Sequence, residues 1–311
     1  MSRKDLKDMA ASVRARLARQ AKESGEDFQA TLSRYVRERL LYRLSVSKHR
    51  DRFILKGALL FAYWMGEPHR PTRDIDLLSS GDPDIAILEQ VVREICQVEV
   101  EDDGVRFLED SIAGERIKED QEYEGIRIRL LALLAGARVT LQVDVGFGDA
   151  VVPAAEEIIF PALLNLPAPR LRGYPRETVV AEKFQAMVAL GILNSRMKDF
   201  YDLYSLSQRF DFDGNTLCRA IQATFKRRKT PIPIELPLAL TPAFYEDRQK
   251  QTQWNGFLRK GRLQDKTPSL GKVIESLGNF LMPPTLAAAN GETFNQTWKA
   301  QGPWAHRFEN R

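Results

Sequence analysis

The chain of 311 residues has room for about two domains, and 46 Lys+Arg against 42 Asp+Glu leave it a net charge of +4 with 43% hydrophobic residues. Those figures exclude wholesale disorder and a blanket of positive charge, and they leave room for a local basic groove. Two distant cysteines, Cys96 and Cys218, exclude a disulfide framework or a thiolate metal cluster, and charge interrupts every apolar run before about 18 residues, so the expectation is a cytoplasmic protein with no membrane span or signal peptide.

Residues 2–45 carry Phe28, Leu32, Tyr35, Val36, Leu40 and Leu41 on one helical stripe, with Arg34, Arg37 and Arg39 largely off it. This predicts two helices divided near Ser24-Gly25. From Phe53 to about Asp149 short β-prone runs alternate with helical ones: a strand at 53–55 turning at Gly57 into a helix at 58–64, a strand at 74–78, a helix at 83–96, and strands at 125–134 and 138–146 joined at Ala135-Gly136. A proline-rich join, Pro161 to Pro175, precedes a helix started near Pro175 and ended by Gly191, and a second helix at about 198–208. The four prolines from Thr230 to Pro242 predict extended linker or loop rather than helix, and the tail after Ala287, with Trp298 and Trp304, takes no assignment. The expected divisions are an N-terminal helical segment at 1–48, a core domain with a mixed sheet at 49–165 and a mainly helical domain at 166–311.

Within Arg73-Asp74-Ile75-Asp76-Leu77-Leu78, two carboxylates at i and i+2 of a strand share one face while Ile75 and Leu77 take the other. Paired carboxylates of this kind suit Mg²⁺ or Mn²⁺, which need few protein ligands when phosphates complete the shell; the same spacing also occurs by chance at strand ends. Upstream, Lys56-Gly57-Ala58 reads as a tight turn into a helix, a place for backbone N–H groups to meet a phosphate, or a plain turn. Asp144, near the end of the run 139–146, is either a third carboxylate for two-metal phosphoryl chemistry or a strand-end residue capping the turn at Gly146. His49, His69 and His306 have no ligand spacing. The basic runs Lys226-Arg227-Arg228-Lys229 and Arg259, Lys260, Arg262 are either solvated faces or grips on an RNA backbone.

The run FILKGALLFAYWMGEPHRPTRDIDLL resembles the first motif of the polymerase-β-like nucleotidyltransferase superfamily, and more closely that of AbiEii/AbiGii-type toxins. The resemblance continues in Ala181-Glu182-Lys183 and in Arg196-Met197-Lys198-Asp199-Phe200-Tyr201-Asp202-Leu203, in the same order. It implies an α+β fold: a polymerase-β-like core with N-terminal helices and a mainly helical C-terminal domain. It implies Asp74, Asp76 and Asp144 as catalytic metal ligands, Lys183 as a catalytic cation on the triphosphate, and Lys56, Gly57, Ala58, Arg73, Lys198, Asp199 and Asp202 as nucleotide- or phosphate-site residues. Tyr201 and Tyr204 either stack on a base or belong to the core. Ala58 stands where the family has Gly or Ser, removing a hydroxyl but not the backbone donors, and the segment between Gly57 and Asp74, including Gly66-Glu67-Pro68-His69, is enlarged.

The implied activity is Mg²⁺- or Mn²⁺-dependent transfer of NMP from an NTP to an acceptor hydroxyl, with tRNA or another RNA as acceptor. The implied setting is the toxin of a bacterial toxin–antitoxin or phage-defence system, with a separately encoded antitoxin as partner. Two other classes use the same residues: a metal-dependent phosphatase or nuclease, and a non-catalytic RNA- or partner-binding module.

Overall fold

The computed structural model describes residues 3–66, 69–120 and 123–306. Ser2, Glu67 and Pro68, which belong to the expected first helix and the expected enlarged loop, lie outside the described residues. The chain divides into two compact units, residues 1–148 with 156–173, and residues 149–155 with 174–311; the join expected at 165/166 compares with a division at Gly173/Tyr174.

The first unit opens with α1 (Arg3–Ser24) and α2 (Phe28–Val46), separated at the expected place. Asp27 caps α2 by accepting the Ala30 N–H at 3.0 Å, satisfying a donor that a helix start leaves over. Then follow β1 (Phe53–Lys56), α3 (Leu59–Met65), β2 (Asp74–Ser79), α4 (Ile85–Cys96), β3 (Val105–Asp120), β4 (Tyr123–Leu134), β5 (Ala137–Phe147), β6 (Glu156–Ile159) and β7 (Arg170–Gly173). The sheet order is β3-β4-β5-β2-β1-β7-β6. It is mixed as expected: β2 runs parallel to β5 and β1 parallel to β7, while the other neighbours are antiparallel.

One face of this sheet is the core. Ile126, Ile128, Leu130, Val139, Leu141, Val143 and Val145 alternate with polar residues and are buried. A small cavity between Leu40, Leu44, Val92, Ile95, Ile75 and Val143 marks where α2 and α4 cover that face. Burial of this alternating set fixes the register, because a slip by one residue would turn every apolar side chain outward. The polar face is thereby fixed too, and it carries the carboxylates.

Three strands of this unit, β3, β6 and β7, escape the sequence reading. The long strand β3 lies within a charged stretch, VRFLEDSIAGERIKED, whose apolar alternation is broken by a bulge between Leu108 and Ala113. The proline-rich join folds back as β7 beside β1, held by two residues of α2. The Glu38 carboxylate accepts the Leu163 N–H at 2.7 Å, and Arg39 donates to the Pro167 carbonyl at 2.8 Å. These two side chains form a buried ion pair. Burial pushes the Glu38 carboxyl up, opposed by Arg39 and the Leu163 N–H.

The second unit holds α5 (Arg176–Leu190), α6 (Met197–Arg209), β8 (Phe212–Asp213), α7 (Gly214–Arg227), α8 (Pro242–Tyr245), α9 (Arg248–Gly261), α10 (Leu270–Asn290), β9 (Gln296–Trp298) and β10 (Trp304–His306). Gly191 ends α5 as expected; residues 231–237 hold no helix or strand, but a single 3-10 turn at Leu238–Leu240 and the start of α8 at Pro242 fall inside the stretch expected to be free of helix. The tail is ordered by its tryptophans: Trp298 donates its indole N–H to the Ser207 carbonyl at 2.7 Å and Trp304 to that of Phe280 at 3.0 Å. Both rings pack on Phe280, so each buries an apolar body and satisfies its one donor. Among the described residues, no helix is long and apolar enough to cross a membrane.

Candidate active site

The carboxylates meet on the polar face of the first unit through strand register. Asp76 of β2 is paired with Lys56 of β1 on one side and with Asp144 of β5 on the other; Asp144 is paired in turn with Arg127 of β4, and Arg127 with Glu115 of β3. Paired residues of adjacent strands point to the same side, so one row of charged side chains crosses five strands. Asp74, two residues before Asp76, shares its face and lies level with Gln142. Asp74 and Asp76 are half-buried; Lys56 and Asp144 are buried.

Gly57 closes the row at its β1 end. Its φ of +72° is in the left-handed region, and a Cβ built on it would stand 2.0 Å from Asp76 Oδ2. Glycine is therefore required twice, by the turn and by the closeness of the carboxylate. The helix that follows is only seven residues long with Ala58 at its N-cap, so a phosphate held there depends on local N–H groups more than on a macrodipole. Arg73 is exposed, and its backbone carbonyl accepts from Arg37 at 3.3 Å.

Asp144 is held firmly. Arg127 donates Nε to Oδ1 at 2.8 Å and Nη2 to Oδ2 at 2.7 Å, and Gln142 adds a bond to Oδ2 at 3.2 Å. This fork geometry is the strongest form of carboxylate–guanidinium pairing, and it holds the Arg127 guanidinium above its ordinary value. The donor chemistry of the row fits a hard divalent cation, since Asp74, Asp76 and Asp144 offer only oxygen. Among the described residues, no group of three or more His, Cys, Asp and Glu side chains is placed to hold a metal ion.

In the second unit Lys183 of α5 lies between Asp199 and Asp202 of α6, at 2.6 and 2.8 Å, and Arg196 pairs with Asp199 at 2.7 Å. Asp199 and Asp202 are fully buried, so the i, i+3 spacing puts two charges inside the unit where Lys183 and Arg196 balance them. Burial alone would push the Asp199 carboxyl up; Lys183 and Arg196 outweigh it and hold it below its ordinary value. Lys198 is exposed. Tyr201 is a core residue against Phe257.

Three functional candidates escaped the sequence reading. Arg127 and Gln142 have only their strand pairing to reveal them. Arg37, placed off the apolar stripe of α2, is nevertheless buried: burial lowers its guanidinium to about 10 while neighbouring Asp74 opposes that fall. Its Nε has no hydrogen-bond partner among the described residues. Arg228, inside a basic run, is also withdrawn from the surface, pairing with Asp149 at 3.2 Å and with Glu182 at 3.6 Å.

The family described as nucleotidyl transferase AbiEii toxin, type IV toxin–antitoxin system, matches residues 39–276, about three quarters of the chain. The protein belongs to the AbiEii family. It is a nucleotidyltransferase, which decides against the phosphatase or nuclease and against the non-catalytic module. AbiEii membership makes an NTP the substrate and places the protein as the toxin beside a separate antitoxin. The mixed sheet with its helices accords with a polymerase-β-like core. Two solved structures resemble this AbiEii chain distantly. JHP933 from Helicobacter pylori is 12% identical with a TM-score of 0.45, covering 85% of this chain and 93% of that one. A second H. pylori protein, carrying the provisional description nucleotidyltransferase, is 13% identical with a TM-score of 0.44, covering 85% of this chain and 96% of that one. No curated protein is significantly similar in sequence.

Proposed function

We propose that this AbiEii protein transfers NMP from an NTP to a hydroxyl of an RNA acceptor, tRNA foremost, in a reaction that depends on Mg²⁺ or Mn²⁺. The observation that carries the reading is the row in which Asp76 lies between Lys56 and Asp144, with Asp74 on the same face and Gly57 against Asp76. Asp74 and Asp76 would hold the divalent cation, with Asp144 as the third carboxylate and phosphate and water oxygens completing the shell. When bound, the cation neutralises charge that develops on the transferring phosphate and acidifies the attacking hydroxyl.

The chain's own groups do the rest. The acceptor oxygen forms a bond to the α-phosphorus, the bond from that phosphorus to the β-phosphate bridging oxygen breaks, pyrophosphate leaves with the bonding pair and the hydroxyl proton passes to solvent. Backbone N–H groups after Gly57, with Lys56 and Arg73 beside them, are assigned to phosphate oxygens. Lys183 is assigned to the triphosphate and is oriented for it by Asp199 and Asp202. Lys198 is kept as an outer contact of the nucleotide site. Exposed Lys226, Arg227, Lys229, Arg259, Lys260 and Arg262 of the second unit are assigned to the RNA backbone. The first unit is read as the catalytic core, and the cytoplasm, where NTP and tRNA are found, as the place of action.

The test incubates the protein with each α-labelled NTP, Mg²⁺ and total bacterial tRNA. Label should enter tRNA with at least one NTP, be lost with EDTA and be lost in Asp76→Ala. Transfer that survives EDTA sinks the metal assignment, and transfer only to a non-RNA acceptor sinks the acceptor.

A further inference from the structure

The carboxylate assigned as third ligand is engaged by protein at both of its oxygens. Both Asp144 oxygens are taken by the Arg127 fork, and Gln142 adds to one of them. A guanidinium and a divalent cation want the same lone pairs and the same negative charge, so they cannot both have them in full. The two partners differ in freedom. The Asp144 side chain is 10% exposed and fixed in mid-strand, whereas Arg127 is 27% exposed and can swing without leaving a charge buried and alone. Arg127 also has somewhere to go. Glu115 is its register partner on the far side, in the same row, and at present pairs with Arg129 at 2.7 Å. Arg127 therefore stands between two carboxylates on neighbouring strands, each within reach of a long side chain.

We infer that Arg127 is a positioning residue that keeps the place of the divalent cation at Asp144: it holds the carboxylate in orientation while no metal is bound and transfers to Glu115 when metal takes the Asp144 oxygens. The ion pair then sets the metal concentration at which the site fills. This rests on the metal reading above.

The test measures Mn²⁺ binding from the free-ion electron paramagnetic resonance signal, with the full chain and the four α,β-methylene NTP analogues. Arg127→Met should bind Mn²⁺ about tenfold more tightly than wild type, and the gain should vanish when Asp144→Asn is added. Glu115→Gln, which removes the alternative partner without touching Asp144, should weaken Mn²⁺ binding severalfold and stands as the second test should Arg127→Met fail to fold. Wild-type Mn²⁺ binding that is unchanged in Arg127→Met, or a gain that persists with Asp144→Asn, overturns this inference alone. No Mn²⁺ binding by any of these proteins overturns it together with the metal reading.

Discussion

Gly57 and Asp76 are packed so closely that the hydrogen on the Gly57 Cα occupies the only room between that backbone and the carboxylate: a methyl there would lie 2.0 Å from Asp76 Oδ2. Gly57→Ala must therefore push Asp76 aside as well as strain the turn at φ +72°. The backbone part costs about 1–2 kcal/mol, a modest loss of stability. Displacing a carboxylate by about an ångström costs on the order of 100-fold in rate. Thermal unfolding and label transfer measured on the same preparation check both parts, and transfer within threefold of wild type would contradict the role given to Asp76.

Arg37 separates stability from activity in the opposite sense. Its buried guanidinium donates to the Arg73 carbonyl and lies beside Asp74, while Nε is unpartnered among the described residues. Burying such a charge is expensive, and because the neighbouring Asp74 is only half-buried, an apolar side chain of similar length leaves no carboxylate buried and alone. Arg37→Met is expected to unfold within about 1 kcal/mol of wild type in urea yet to transfer label at least about tenfold more slowly, the loss typical of one buried charge-assisted contact of about 1.5–3 kcal/mol. Equal activity in the two proteins would make Arg37 a packing residue only.

The cysteines are expected to be inert. Burial pushes the Cys96 thiol up to about 12, and burial raises that of Cys218 as well. At pH 8 a thiol with a value near 12 is thiolate in only about one molecule in 10⁴. A chromogenic disulfide reagent should find no reactive thiol in the native protein and both in denaturant. Rapid native labelling of Cys96, half-buried at the last position of α4, would contradict the raised thiol.

What the sequence discloses here depends on range. Strand, turn and helix around Gly57, the two-carboxylate strand at Asp74 and the hairpin turn at Ala135-Gly136 are local patterns, and each element formed where its own residues placed it. Arg127 was readable in principle: with a two-residue turn after Leu134, counting back along β4 and forward along β5 pairs Asp144 with Arg127. The burial of Arg37 was not, because helix periodicity ranks an arginine as solvent-facing and only the long-range approach of β2 supplies a partner. The same holds for β7, which reads as part of a proline-rich join and pairs with β1 more than a hundred residues earlier, while Glu38 and Arg39 hold the chain just before it. Arg228 likewise left a basic surface run because Asp149 and Glu182 reach it from distant positions.

Lys183 and Asp199 supply the pH dependence. The Asp199 carboxyl is held below its unfolded value of about 3.9, so it contributes stability that is fully present above about pH 4 and is lost as pH falls through its lower folded value. In Lys183→Met one of the two cations is gone and burial dominates, raising Asp199 above its unfolded value. The sign then reverses: the carboxyl is tolerated when protonated at low pH and destabilises as pH rises past its folded value. Leaving a buried charge uncompensated costs about 3–5 kcal/mol, so urea unfolding at pH 7 should show a loss of that order. Near pH 4 the gap between variant and wild type should narrow, because Asp199 is by then largely protonated in the variant while wild type is starting to lose its own contribution. A difference that stays constant from pH 7 to pH 4 would mean that Lys183 does not stabilise Asp199 through charge, and its place between the two aspartates would need another account.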